Sequence, residues 1–103
     1  MAQVVFTATA DSDVATIFDD LYAKAGKPTV GKYRALFRKL YDNLAAFPDS
    51  GTLRPMIGAQ IRIRVVPPYV VIYKHTDFEN TITVLRVVHG RRKISGKLVR
   101  GVF

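Results

Sequence analysis

The sequence contains no cysteine. Disulfides, thiolate nucleophiles and cysteine-ligated zinc are therefore excluded, and a reducing compartment, the cytoplasm, is expected. There is no apolar run near the roughly 18 residues that a membrane helix requires. The N-terminal Met-Ala-Gln-Val-Val-Phe-Thr lacks the basic start and long apolar centre of a signal peptide. No membrane partner is predicted. Histidine is scarce, with only His75 and His89, and the acids are scattered, so neither a metal site nor a cofactor is expected. Tyrosine stops at Tyr73, and acidic side chains stop at Glu79.

What is present is an unevenly placed positive charge. The 103 residues hold 16 Lys and Arg against 8 Asp and Glu, a formal net charge of +8. Residues 1–50 balance, with six side chains of each sign. All of the excess lies in residues 51–103, whose only acids are Asp77 and Glu79. From Arg86 onward come Arg86, Arg91, Arg92, Lys93, Lys97 and Arg100 with no acid among them. Such a field draws in nucleic acid or an acidic protein and speeds encounter with either.

The apolar pattern predicts one domain over residues 1–103, with a basic C-terminal tail from about residue 91. Gln3–Thr7 is short and β-rich, a first strand. Capping oxygens and acids in Thr9-Ala-Asp-Ser-Asp13 then suit a helix start. Val14, Ile17, Phe18, Leu21, Tyr22 and Ala25 recur at helical spacing, and Gly26 is a natural stop. Val30, Tyr33, Phe37, Leu40, Tyr41, Leu44 and Phe47 make a second stripe, ended by Pro48. The short connection folds the two helices into an antiparallel hairpin.

Ile61, Ile63 and Val65 alternate with Arg62 and Arg64, which marks a half-buried strand with its arginines turned to solvent. Tyr69–Lys74 and the long apolar Thr81–His89 are further strands, linked by short turns. The fold class is α+β: an antiparallel sheet, made of a meander of three C-terminal strands plus the N-terminal strand, with the helix hairpin packed on one face. Tyr69 and Tyr73 share a face and are expected to lie beneath the helices. The tail from Arg91 to Phe103 has no obvious core to join.

Three segments resemble the RelE/ParE superfamily of bacterial toxins: the helix pair with Phe47-Pro48 and the Gly51–Pro55 loop, then Arg62-Ile-Arg-Val-Val-Pro-Pro-Tyr-Val-Val-Ile-Tyr73, then Val84-Leu-Arg-Val-Val-His-Gly-Arg-Arg92. The resemblance spans nearly the whole chain. It implies the toxin of a type II toxin–antitoxin system, one of the plasmid-stabilisation type, in a hetero-oligomer with a cognate antitoxin. RelE-type members cleave messenger RNA on the ribosome. ParE-type members share the fold and poison DNA gyrase without being nucleases.

Cleaving RNA without metal needs a group to take the 2′-hydroxyl proton, another to protonate the leaving oxygen, and cations around the phosphate. In RelE-like nucleases the resemblance implies an arginine after the strand tyrosine and a tyrosine near the C-terminus. Here Val70 follows Tyr69, and no tyrosine follows Tyr73. The matching tail cation is Arg91 or Arg92. The expectation is therefore a ParE-like binding toxin that inhibits DNA gyrase, is neutralised by a ParD-like antitoxin and has no catalytic residues. Its binding surface is assigned to Arg62, Arg64, Arg86, Arg91, Arg92, Lys93, Lys97 and Arg100. The alternatives are a ribosome-dependent RNase built on His89, Arg91, Arg92 and Tyr69, and a basic nucleic-acid-binding module.

Overall fold

The computed structural model describes residues 1–102. Strand β1 (Gln3–Phe6) leads into helix α1 (Ala8–Ala46), followed by β2 (Thr52–Leu53), β3 (Ile61–Val66), β4 (Tyr69–Thr76), β5 (Thr81–His89) and a 3₁₀ turn, η1 (Gly96–Val99). The span α1 is two helices in immediate succession, broken at Gly26. Gly26 takes φ 78°, ψ −177°, a conformation that glycine adopts without steric cost, and Pro28 follows where a new helix starts. Phe18 and Phe37 would lie about 28 Å apart on a straight helix. Their rings stand edge to face at 6.0 Å. Residues 8–25 and 27–46 are thus the two arms of the expected hairpin.

The helix begins earlier than the acids at 11–13 suggest. Thr7 is the N-cap, and its hydroxyl oxygen accepts from the Ala10 amide at 3.0 Å. The same hydroxyl donates to the Leu85 carbonyl at 2.9 Å, so tertiary packing fixes the helix start.

The sheet has five strands in the order β1-β5-β4-β3-β2. The three long C-terminal strands form the antiparallel meander. In two respects the sheet differs from the sequence reading. First, β1 pairs with β5 in parallel, Gln3 opposite Thr81 and Phe6 opposite Val84, because the helix hairpin returns the chain to β2 at the far edge of the sheet. Second, Thr52 and Leu53, within the segment read as loop, pair antiparallel with Ile63 and Arg62.

A register shift at Ile72/Tyr73 leaves Leu85 as an extra residue on β5. Beyond it the alternation inverts, so Val84 and Val87 both face the helices while Leu85 and Val88 face away. This explains why β5 reads as almost continuously apolar: both of its faces are buried.

Each face has its own core. The helix side gathers Phe37, Leu40, Leu44, Val71, Tyr73, Ile82, Val84 and Val87. The opposite side gathers Ile57, Ile61, Val70, Ile72, Leu85 and Val88 beneath Leu98 and Val99. The tail therefore does have a core to join: Leu98 and Val99 are 6% and 5% exposed. Phe103, the last residue of that tail, lies outside the described residues. Tyr22 and Phe47, assigned to the helix stripes, are exposed instead. No helix among the described residues is long and apolar enough to cross a membrane.

Candidate partner-binding surface

The arginines assigned to a binding surface divide into two groups. Arg62 donates through Nη1 to the carbonyls of Asp49 (3.0 Å) and Gly51 (2.8 Å), and its Nε is 3.7 Å from the Asp49 carboxylate. Arg64 donates to Asn43 Oδ1 (2.9 Å) and Ser50 Oγ (2.7 Å). Both side chains lie on the helix side of β3, past the end of the hairpin, and fasten the loop after α1 to the sheet. The alternation holds, with Ile61 and Ile63 in the core on the tail side of the sheet, but the arginines opposite them are not turned to solvent. The arginines are half-buried and partnered, whereas Val65 is exposed.

Arg86 is also engaged internally. Its Nε and Nη2 donate to Asp13 Oδ2 (2.7 Å) and Oδ1 (2.9 Å), and Nη1 donates to the Leu98 carbonyl (3.1 Å). Both members of the pair are largely withdrawn from solvent, at 13% and 15% side-chain exposure. The hydrogen bond to Asp13 raises the Arg86 pKa above its ordinary value against the opposing effect of burial. Asp13 therefore does more than mark a helix start, and Arg86 is not part of an open basic patch.

The second group remains available. Arg91, Arg92, Lys93, Lys97 and Arg100 are exposed, and none makes a side-chain hydrogen bond or ion pair to another described residue. They are held on an ordered base, because Leu98 and Val99 anchor the tail between them. Gly96 permits this close seating: a Cβ there would stand 3.1 Å from the Ile57 carbonyl oxygen. Lys93 and Arg54 flank an apolar groove of about 480 Å³ floored by Leu53, Met56, Ile57, Ile63 and Ile94. Met56 is almost fully exposed and Leu53 nearly half so. Sequence reading missed this groove because its lining comes from three separate segments. A second groove of about 560 Å³ runs between the second helix arm and β3, bordered by Leu36, Lys39, Arg64, Val65 and Pro67.

The residues of the nuclease alternative do converge. Tyr69 and His89 are opposite one another in β4 and β5, with their rings edge to face at 5.8 Å. Tyr69 is 9% exposed and also packs against Tyr33 and Phe37. Burial, with Tyr33 and Asp20 adding to it, pushes its phenol pKa up. His89 Nδ1 accepts from the Arg91 amide at 3.0 Å, which puts the proton of the neutral ring on Nε2. The His89 carbonyl accepts from the Arg92 amide at 3.0 Å, so this turn fixes where both arginine side chains depart. Tyr73 is fully buried: its hydroxyl accepts from the Gly51 amide and donates to the Pro48 carbonyl, both at 2.9 Å.

The architecture is a helix hairpin on one face of a mixed five-stranded sheet, with a cationic tail seated on the other. The chromosomal ParDE system of P. aeruginosa has a chain of this fold, with a TM-score of 0.71 at 19% identity, covering 86% of this chain and 96% of that one. The RelBE2 toxin–antitoxin complex (Rv2865-2866) of Mycobacterium tuberculosis has another, with a TM-score of 0.63 at 23% identity, covering 85% and 96%. The model of the ParE toxin family, of the type II toxin–antitoxin system parDE, matches residues 4–94, and the chain belongs to that family. No curated protein sequence matches it.

Proposed function

We propose that this ParE-type toxin acts by binding DNA gyrase, without chemistry of its own, and is held silent by a ParD-like antitoxin in a hetero-oligomer. One observation carries the reading. Five tail cations stand exposed on a rigidly seated segment, while every other basic side chain assigned to the surface is consumed by an internal partner. A fixed cluster of one sign beside an apolar groove suits an acidic, partly disordered peptide that orders on binding. The P. aeruginosa chain of this fold comes from a ParDE system, which agrees with such a partner.

The absence of chemistry is supported by the state of the candidate groups. Val70 stands where the nucleases carry arginine, and the Tyr69 ring is packed against Tyr33, Phe37 and His89. One ring nitrogen of His89 is occupied by a backbone amide. The test is a gyrase supercoiling reaction with and without the purified chain, beside an RNA-cleavage reaction on translating ribosomes. Loss of supercoiling or accumulation of cleaved plasmid, with intact RNA, is the expected result. Cut RNA with untouched gyrase overturns the reading and makes the chain a nuclease.

A further inference from the structure

The acids of this chain are less scattered than they look in sequence. Asp49, in the loop after α1, His75, at the end of β4, and Asp77, in the β4–β5 turn, place one donor atom each within 4.8 Å of one another. His75 Nδ1 is 3.0 Å from Asp49 Oδ1 and 3.0 Å from Asp77 Oδ1. The histidine side chain is only 10% exposed, whereas the carboxylates are 61% and 89% exposed.

Two features set this cluster apart from an ordinary ion pair. Nδ1 faces two carboxylate oxygens at equal distance, so at most one N–H serves two charged acceptors. A cation in its place is bound by all three donors at once. Second, His75 Nε2 lies 3.2 Å from Asn80 Oδ1. That contact orients the ring and directs Nδ1 at the carboxylates, as a second-sphere acceptor does for a metal-bound histidine. Asn80 has a positive φ of 48°.

From this geometry we infer a divalent transition-metal site, formed by His75 Nδ1 with the carboxylates of Asp49 and Asp77. One imidazole and two carboxylates suit zinc and its neighbours, not magnesium or calcium, which take oxygen alone. Donors about 3.3 Å apart surround a tetrahedral zinc with bonds near 2.0 Å, and the two histidine–carboxylate spacings, 3.0 Å each, are close to this. The two carboxylates neutralise the ion, and solvent supplies the open position. The ion ties together the loop after α1, the end of β4 and the β4–β5 turn. The Arg62 guanidinium, 3.7 Å from Asp49, is a cation that opposes it.

The test is calorimetric titration of the chelator-treated full chain with zinc chloride, with cobalt absorption as a report of coordination. We expect saturation at one ion per chain and a cobalt spectrum of low coordination number. His75→Gln and Asp77→Asn should each weaken binding at least tenfold. Asn80→Gly, which keeps the backbone conformation and removes the acceptor, should weaken it about tenfold. Asp77 is exposed on a turn, so its variant will fold even if the histidine variant does not. Absence of zinc binding overturns the proposal. So does binding that survives in Asp77→Asn, which would place the ion elsewhere, such as His89.

Discussion

Asp13, on the first arm of the helix, and Arg86, on β5, form a two-pronged ion pair across 73 residues of sequence, at 2.7 and 2.9 Å. The pair lies where β1 has ended and the edge of β5 would otherwise be bare. Thr7 accepts the role of neighbour first, donating to the Leu85 carbonyl. Asp13 continues it, with Oδ2 accepting from the Val87 amide at 3.0 Å. Two helix side chains thus satisfy the backbone groups that a longer β1 would have paired.

Asp13→Ala should therefore cost far more than an exposed acid. It leaves a partly buried guanidinium without its counter-charge and an amide without its acceptor. The expected loss is about 3 kcal/mol, or a fall in melting temperature of more than about 10 °C. Asp11→Ala, at an exposed position in the first turn of the helix, should cost under about 1 kcal/mol. Thermal denaturation of both variants checks this, and equal melting temperatures would sink it.

Tyr73→Phe removes a hydroxyl bonded at both lone pair and proton, leaving the buried Gly51 amide without an acceptor. The cost should be about 1–3 kcal/mol by urea denaturation. Gly51→Ala should be worse, since its Cβ would stand 2.5 Å from that hydroxyl and 2.7 Å from the Ile63 carbonyl oxygen. Tyr73→Phe should not rescue Gly51→Ala, because the backbone oxygen stays in place.

Tyr41 has the opposite problem. Its hydroxyl is buried without a hydrogen-bond partner among the described residues, and burial pushes its pKa from 10.0 up to about 12. A phenol that holds its proton more tightly when folded contributes stability that is complete below pH 10 and is lost as pH rises toward 12. Tyr69 and Tyr73, also shifted upward, act in the same direction. Tyr41→Phe should raise the melting temperature at neutral pH and flatten its decline in alkali. A decline as steep as in the parent chain would refute the assignment to Tyr41.

Reversing Arg91, Arg92 and Lys93 together to glutamate should change stability by less than about 1 kcal/mol, since none is partnered. If the tail steers an acidic partner, association should slow about tenfold or more and lose much of its salt dependence. Stopped-flow binding to a ParD-like antitoxin at two salt concentrations reads both effects. Arg86→Glu, by contrast, should destabilise the fold before any binding can be measured.

The helix hairpin was legible because it is written locally: two apolar stripes at helical spacing, a glycine and a proline between them. The meander was legible for the same reason, through alternation and short turns. The parallel β1–β5 pairing was not, because Val4 and Ile82 carry no mark of each other. Nor was the seating of the tail: Ile94, Leu98, Val99 and Val102 are too few and too irregular to signal a face, and their partner surface is made by strands earlier in the chain. For the site, sequence supplied the cations but not their state. Arg62, Arg86 and Arg92 look alike in one dimension, and only the fold decides which of them has an acid or carbonyl within reach. The meeting of Asp49 with His75 and Asp77 was hidden in the same way.

The parallel pairing of β1 also sets an order on synthesis. The helix hairpin can coil as soon as it leaves the ribosome, but its apolar side meets a sheet only after β3, β4 and β5 have been made. Strand β1 waits longest, for its only neighbour in the sheet is β5. Closing so wide a loop of chain is slow relative to local helix formation. A nascent chain halted before Thr81 therefore has no sheet position for its own N-terminus. The sheet is thus completed at its β1 edge only when residues 81–84 are available to pair.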